Sequence, residues 1–254
     1  MSEIRYYKTF SDDFVQSKNQ EYKLSYNYKW VHTNPVYRCI SSFIYVLALF
    51  ISFFYCRFGL HVKIKNRKIL RKFKDCGCFL FGNHTQPVGD VFIPAHVCKS
   101  KRIFTVISPA NFGIPVIGKL LTMLGGLPIP NKLSQMREFL TAISQRIDEK
   151  RCVVVYPEAH VWPYYTGIRP FPETAFKFPV ENNAVSFCMT ATYQNRKFGK
   201  KPGITVYLDG PFYLDRALPK KAQQKKLHDD IYMCMRERSR NSTYEYIRYE
   251  RNEN

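Results

Sequence analysis

Acidic residues are scarce in this chain: 20 Asp and Glu face 39 Lys and Arg, a formal charge of +19 at pH 7. Such a shortage calls for a polyanionic partner, either nucleic acid, an anionic membrane or a phosphorylated small molecule. No helix-turn-helix, zinc-finger or RNA-recognition pattern is present, which argues against nucleic acid. Low-complexity tracts are absent too, and 45% of residues are hydrophobic and 16% aromatic, so a natively unfolded basic tail is excluded. The mean hydropathy of −0.31 excludes a polytopic membrane protein. Eight cysteines are present, but none shows the paired two-residue spacing of a zinc site. With no secretory leader pattern at the start, they are expected to be reduced thiols in a cytosol-facing protein.

What is present is enough for one domain or one domain with an appendage. A chain of 254 residues can bury roughly 70–75% of its unfolded surface and needs no disulfide or structural metal. The charge is unevenly placed. Residues 1–74 carry 14 basic and 4 acidic residues, 75–190 carry 11 and 8, and 191–254 carry 14 and 8. The near-neutral middle and basic ends fit either a nucleic-acid binder or an enzyme body held on a membrane by its ends.

The first 38 residues are polar but rich in aromatics, among them Tyr22, Tyr26, Tyr28, Trp30 and Tyr37. An uncharged run then extends from Cys39 to Cys56, bounded by Arg38 and Arg57. As a helix it would span roughly 27 Å, just short of a ~30 Å hydrocarbon core. A buried core helix is the alternative; flanking arginines and upstream aromatics favour the membrane, as a span or a shallow interfacial helix. Residues 62–74 follow with seven basic residues and no acid. Beside a membrane helix such a cluster favours the anionic cytoplasmic leaflet by about 1 kcal/mol per cation. The expectation is a cell-membrane protein with its globular body on the cytoplasmic face.

Beyond residue 74, short apolar runs alternate with amphipathic ones. Residues 78–82, 103–107, 152–156, 185–193 and 204–208 read as buried strands, and 112–124, 133–149 and about 219–238 as helices. In the second helix Leu133, Met136, Leu140, Ile143 and Ile147 share a face. Alternation of this kind argues for an α/β layer fold. Basic clusters at Lys99/Lys101/Arg102, Arg196/Lys197/Lys200/Lys201 and Arg216–Lys226 read as solvated faces or contacts to headgroup or donor phosphates.

Two stretches carry chemistry. Phe81-Gly82-Asn83-His84 ends a buried strand in an imidazole, where open α/β sheets place ligands. Asp90 follows after a Pro/Gly turn and can fold back onto the second ring nitrogen, making His84 a general base held in one tautomer. Two ordinary surface side chains are the alternative. Residues 152–155 lead likewise into Tyr156-Pro157-Glu158-Ala159-His160. Between them lie Gly-Ile-Pro (113–115) and Gly125-Gly126-Leu127-Pro128-Ile129-Pro130.

In this order the blocks resemble the lysophospholipid acyltransferase family, typified by 1-acylglycerol-3-phosphate acyltransferases, over about residues 60–215. That family has Asn-His, four residues and Asp; a Gly/Ile-rich block ending near an Arg; and Phe-Pro-Glu-Gly-Thr-Arg. Here five residues separate His84 from Asp90, so the turn must bulge by one for the pair to meet. Asn131 and Ala159-His160-Val161 stand where two phosphate-holding arginines are expected, and Lys132, His160, Arg169 and Lys119 are the candidates to replace them.

The resemblance implies an α/β fold with a single mixed, mostly parallel sheet flanked by helices. Residues 1–60 would form the aromatic segment and membrane-associated helix, and 61–254 the acyltransferase domain. It implies acyl transfer from acyl-CoA or acyl-carrier protein to a hydroxyl of a lysophospholipid or related lipid, with no bound cofactor and no metal. His84 and Asp90 would be catalytic, and Asn83, Glu158, His160, Arg169 and Lys132 would contact substrate. Glu158 reads either as an acceptor-orienting group or as a structural strand-end carboxylate, and Arg169 as an anion contact or half of a buried ion pair. A catalytically inactive lipid-binding relative of the same fold is the alternative.

Overall fold

The computed structural model describes residues 3–15, 22–114, 117–197, 199 and 201–252; Pro115 and Lys200, singled out above, and Val116 of the predicted 112–124 helix lie outside them. In chain order the elements are β1 (Glu3–Tyr7), α1 (Pro35–Phe54), β2 (Lys63–Lys65), α2 (Lys68–Arg71), β3 (Cys78–Gly82), α3 (Gly89–Val97), β4 (Ile103–Ile107), α4 (Ile117–Leu121), β5 (Gly126–Pro128), α5 (Met136–Asp148), β6 (Cys152–Val155), α6 (Lys177–Glu181), β7 (Val185–Gln194), β8 (Gly203–Phe212), α7 (Lys220–Ser239) and β9 (Ile247–Arg251). The apolar runs therefore become strands close to their expected limits.

Seven strands form one sheet in the order β2-β8-β7-β3-β6-β4-β5, parallel throughout except for the antiparallel β7–β8 pair. Its innermost strands β3 and β6 are apolar along their whole length because both faces are covered. Successive residues alternate between two cores. Phe79, Phe81, Val153, Val155 and Cys188 face α5 and α7, packing against Phe139, Ile143, Leu227 and Ile231. Cys78, Leu80, Val154, Phe187 and Met189 face α1 and α3, packing against Tyr45, Ile93 and Val97.

Pairing register matters most for function. Phe81 lies opposite Val155. Three residues beyond each come His84 and Glu158, so two adjacent parallel strands deliver them side by side at the carboxyl edge.

α1 attaches in an inverted sense. Asn34 caps its start, accepting from the backbone of Val36 and Tyr37. Ser41, Tyr45, Ser52 and, in the π-helical turn that follows, Cys56 are buried along one stripe. Ser41 Oγ donates to Met123 O, Ser52 Oγ donates to Phe92 O, and Tyr45 Oη accepts from Ile103 N. Phe43, Val46, Leu47 and Phe50 point outward, Phe43 at 72% exposure. By length and composition this helix, extended to Gly59, could cross a membrane.

Three details depart from the sequence pattern. The 112–124 helix is broken, because Ile114 takes the extended conformation (ψ 122°) that a following proline imposes. Leu133 is 88% exposed, since residues 133–135 form a 3-10 turn before α5, and Phe139 and Ala142 are buried instead. The chain ends also meet: β1 pairs in parallel with β9, Glu3 opposite Ile247, in a separate two-stranded sheet.

Candidate active site

β3 ends at Gly82, where a Cβ would come within 2.8 Å of the Tyr156 ring, so glycine permits that ring to close over the strand end. Asn83 follows, 3% exposed, and clamps itself to β7: its Nδ2 donates to Ala191 O (3.0 Å) and its Oδ1 accepts from Ala191 N (2.8 Å). Both ends of the amide are thus used inside the protein. The clamp sets the direction of the chain just before His84.

His84 Nδ1 and Asp90 Oδ2 are 2.7 Å apart. The extra residue in the spacer is absorbed in the turn before α3, where Gln86 N also donates to Asp90 Oδ2 (3.0 Å) and Asp90 N donates back to Gln86 O. Tyr193, buried in β7, holds the same loop: its hydroxyl pairs with Thr85 Oγ1 at 2.6 Å and accepts from Gln86 Nε2 at 3.0 Å. Burial pushes the Asp90 carboxyl above its ordinary range, and the bonds from His84 and the Gln86 and Thr85 backbone offset part of that rise. With Asp90 accepting at Nδ1, the imidazole is left with Nε2 as its basic nitrogen. The ring keeps 20% of its surface exposed.

Tyr156 lies against the other side of the imidazole, stacked at 4.5 Å, and its hydroxyl donates to Asp90 O (2.7 Å). Burial holds this phenol protonated, so it remains a donor. Spacing alone did not single it out. Its signal is the aromatic residue just before Pro-Glu, where the family block has Phe.

Glu158 is fully buried, and its oxygens are occupied from within. Oε2 accepts from His84 N and Arg169 Nη2, and Oε1 accepts from Arg169 N, all at 3.0 Å. Arg169 is closed in as well: Nη1 donates to Phe10 O, Nη2 also donates to His160 O, and its guanidinium lies 4.9 Å from the Trp162 ring centre. The pair therefore adopts the buried ion-pair arrangement, and Glu158 fixes the backbone of His84.

His160 meets this group through its backbone alone, its N–H donating to Glu158 O and its carbonyl accepting from Arg169 Nη2; its ring is 40% exposed, 3.7 Å from Asp13. Lys132 directs its ammonium over the Tyr26 ring, 5.6 Å away, and makes no hydrogen bond or ion pair with the His84 group among the described residues. Asn131 accepts from Leu24 N, and Lys119 is exposed on α4. His84, Asp90, Asn83, Glu158 and Arg169 are thus gathered at one strand edge, while Lys132 and the His160 ring stand apart.

Among the described residues, Cys188, Asp209 and Cys234 form the one grouping of potential metal ligands. It lies where α7 meets the sheet, and both Asp209 oxygens already accept from Arg238.

A buried carboxylate on one imidazole nitrogen, with the other left basic, is an arrangement for taking a proton from a weak acid such as an alcohol. Comparison with known proteins gives the family and the fold. A search of curated protein sequences finds no match. Among solved structures the fold resembles the crystal structure of the 1-acyl-sn-glycerophosphate (LPA) acyltransferase PlsC from Thermotoga maritima. The TM-score is 0.52 at 13% identity, covering 82% of this chain and 96% of that one. The family model described as Acyltransferase matches residues 61–193, more than half the chain, a range that includes Asn83, His84, Asp90, Glu158 and Arg169. On that match, and with the fold in agreement, the chain belongs to the acyltransferase family.

Proposed function

We propose that this acyltransferase moves a fatty acyl group from an acyl thioester, acyl-CoA or acyl-carrier protein, to a hydroxyl of a lysophospholipid or related lipid. His84 Nε2 takes the acceptor's proton as its oxygen attacks the thioester carbonyl. The C–S bond then breaks, and the leaving thiolate recovers the proton from the imidazolium, giving an ester and a free thiol. Asp90 orients the ring and offsets its transient positive charge. Transfer is direct, because among the described residues no Ser or Cys nucleophile is paired with a base at the site. Glu158 and Arg169 act as positioning residues through the His84 backbone. The observation that carries this reading is the 2.7 Å contact from His84 to a buried carboxylate at the edge of a parallel sheet.

The reaction would run at the cytoplasmic face of the membrane. α1 is held to the body from Ser41 to Cys56, roughly 22 Å of helix. A helix clamped over that length has too little free length to span a bilayer, so its outward apolar face would lie in the interfacial plane. The neighbouring basic segment supplies attraction to anionic lipid.

Mass spectrometry of products from purified protein, an acyl-CoA and a panel of lysophospholipids tests this. One acceptor should gain a single acyl chain, and His84→Ala should abolish that product while leaving the thermal melt unchanged. Unchanged turnover in that variant would remove His84 from the chemistry.

A further inference from the structure

Where α1 passes into α2, an open groove of about 400 Å³ runs along the body. Arg57, Arg67, Lys68, Arg71 and Lys99 line it, with His96 among them at 6% exposure. No carboxylate pairs with any of the five cations among the described residues. Two buried nitrogens, His96 Nδ1 and Arg67 Nε, also lack a hydrogen-bond partner. Burial, and then Arg67, Lys99 and Arg57, push His96 down to about 4, so at neutral pH its ring adds no further charge. Five uncompensated cations around one cavity repel one another, and an entering anion relieves all of them together.

Its position narrows the occupant. His96 lies six residues beyond Asp90 on α3, roughly 9 Å along the helix, so the groove opens toward the far end of α3 from the catalytic pair. Phe53 of α1 forms part of its wall, with Lys99 Nζ 5.0 Å from the ring centre. Phe54 and Phe58 are exposed close by, at the end of the outward apolar face. Cationic cavity and apolar face are therefore continuous. A soluble phosphate would leave the apolar part uncovered; a lipid with an anionic headgroup covers both. A zwitterionic choline lipid fits less well, because no carboxylate is there to receive its ammonium.

We propose that this groove is a headgroup site for an anionic phospholipid, with the phosphate among Arg57, Arg67, Lys68, Arg71 and Lys99 and the acyl chains along α1. It lies toward the far end of α3 from the catalytic pair, and it rests on the membrane seating proposed above.

The test is flotation of the full chain with vesicles of phosphatidylcholine alone or with phosphatidylglycerol added. A groove variant, Lys68→Gln/Arg71→Gln/Lys99→Gln, is compared with an equal charge loss on α7, Lys221→Gln/Lys225→Gln/Lys226→Gln. The groove variant should lose roughly 100-fold in affinity for the anionic vesicles, following the per-cation contribution at a membrane surface. The α7 variant should change by less than about threefold, since its exposed cations lie outside the groove. Acyl transfer to detergent-dispersed acceptor should stay within about twofold of the parent in both, because neither set touches the catalytic pair. Equal losses in the two variants would mean diffuse attraction and overturn the site. Absence of flotation by the parent would overturn the membrane seating together with the site, whereas retained flotation in the groove variant overturns the site alone. The His96 ring resonances should shift with dihexanoyl phosphatidylglycerol; an equal shift at equal concentration of inorganic phosphate would assign a free-anion site and overturn the headgroup reading.

Discussion

At Asp90, charge and stability pull in opposite directions. Its folded carboxyl is raised above the unfolded value, so its contribution to stability is fully present in acid and is lost as pH rises through the folded pKa. At neutral pH the ionised group therefore costs the fold something that catalysis needs. Asp90→Asn isolates this, since an amide oxygen in place of Oδ2 keeps both the His84 and Gln86 bonds. Turnover should fall roughly 10²–10⁴-fold while the thermal midpoint stays level or rises. In the parent, activity should decline in acid at a pH above the ordinary aspartate range, as Asp90 takes a proton; a pH–rate profile checks this. Ala159 offers a second test. It sits at φ +63°, a left-handed conformation that disfavours a Cβ, so Ala159→Gly should stabilise the fold by about 1 kcal/mol in denaturant titration. The family block has Gly at this position. The His84–Asp90 pair was legible because strand, His, turn and Asp occur in order. Tyr156 and Tyr193 were not, because only the folded sheet brings them to the loop.

At the scale of elements, register does the positioning. Phe81 opposite Val155 carries His84 and Glu158 to adjacent strand ends, and Glu158 then holds the His84 N–H. The Glu158–Arg169 pair is fully enclosed, so breaking it leaves an uncompensated buried charge. Arg169→Met should cost about 3–5 kcal/mol by chemical denaturation, and adding Glu158→Gln should recover part of that loss. Full recovery of stability with turnover still depressed would show the pair acting on His84 geometry. The central strands were readable from sequence because burial on both faces gives unbroken apolar runs. β1, β2, β5 and β9 were not: β1, β2 and β9 are short edge or ribbon strands of mixed polarity, and β5 is a three-residue Gly-Leu-Pro edge strand. α3 was hidden as well, since Gly89 and Pro94 punctuate it.

For the molecule as a whole, α1 defines the orientation. Hydropathy marked the segment as able to enter a bilayer, but not which side faces the body; here the more polar stripe packs inward and the phenylalanines remain outside. Phe43→Ser/Phe50→Ser should therefore weaken vesicle binding by roughly 100-fold or more, given about 1.5–3 kcal/mol for each buried ring, with little change in thermal midpoint. Under the proposed membrane seating, the excess of positive charge serves to hold the enzyme on anionic lipid, while the two expected phosphate-binding arginines are replaced. Direct transfer from thioester to lipid hydroxyl, with His84 as base, is best tested by following thiol release from an acyl-CoA with and without a lysophospholipid acceptor. Release should require the acceptor, match acylated product one for one without an initial burst, and vanish in His84→Ala. A burst of thiol without acceptor, or undiminished release in the variant, would contradict it.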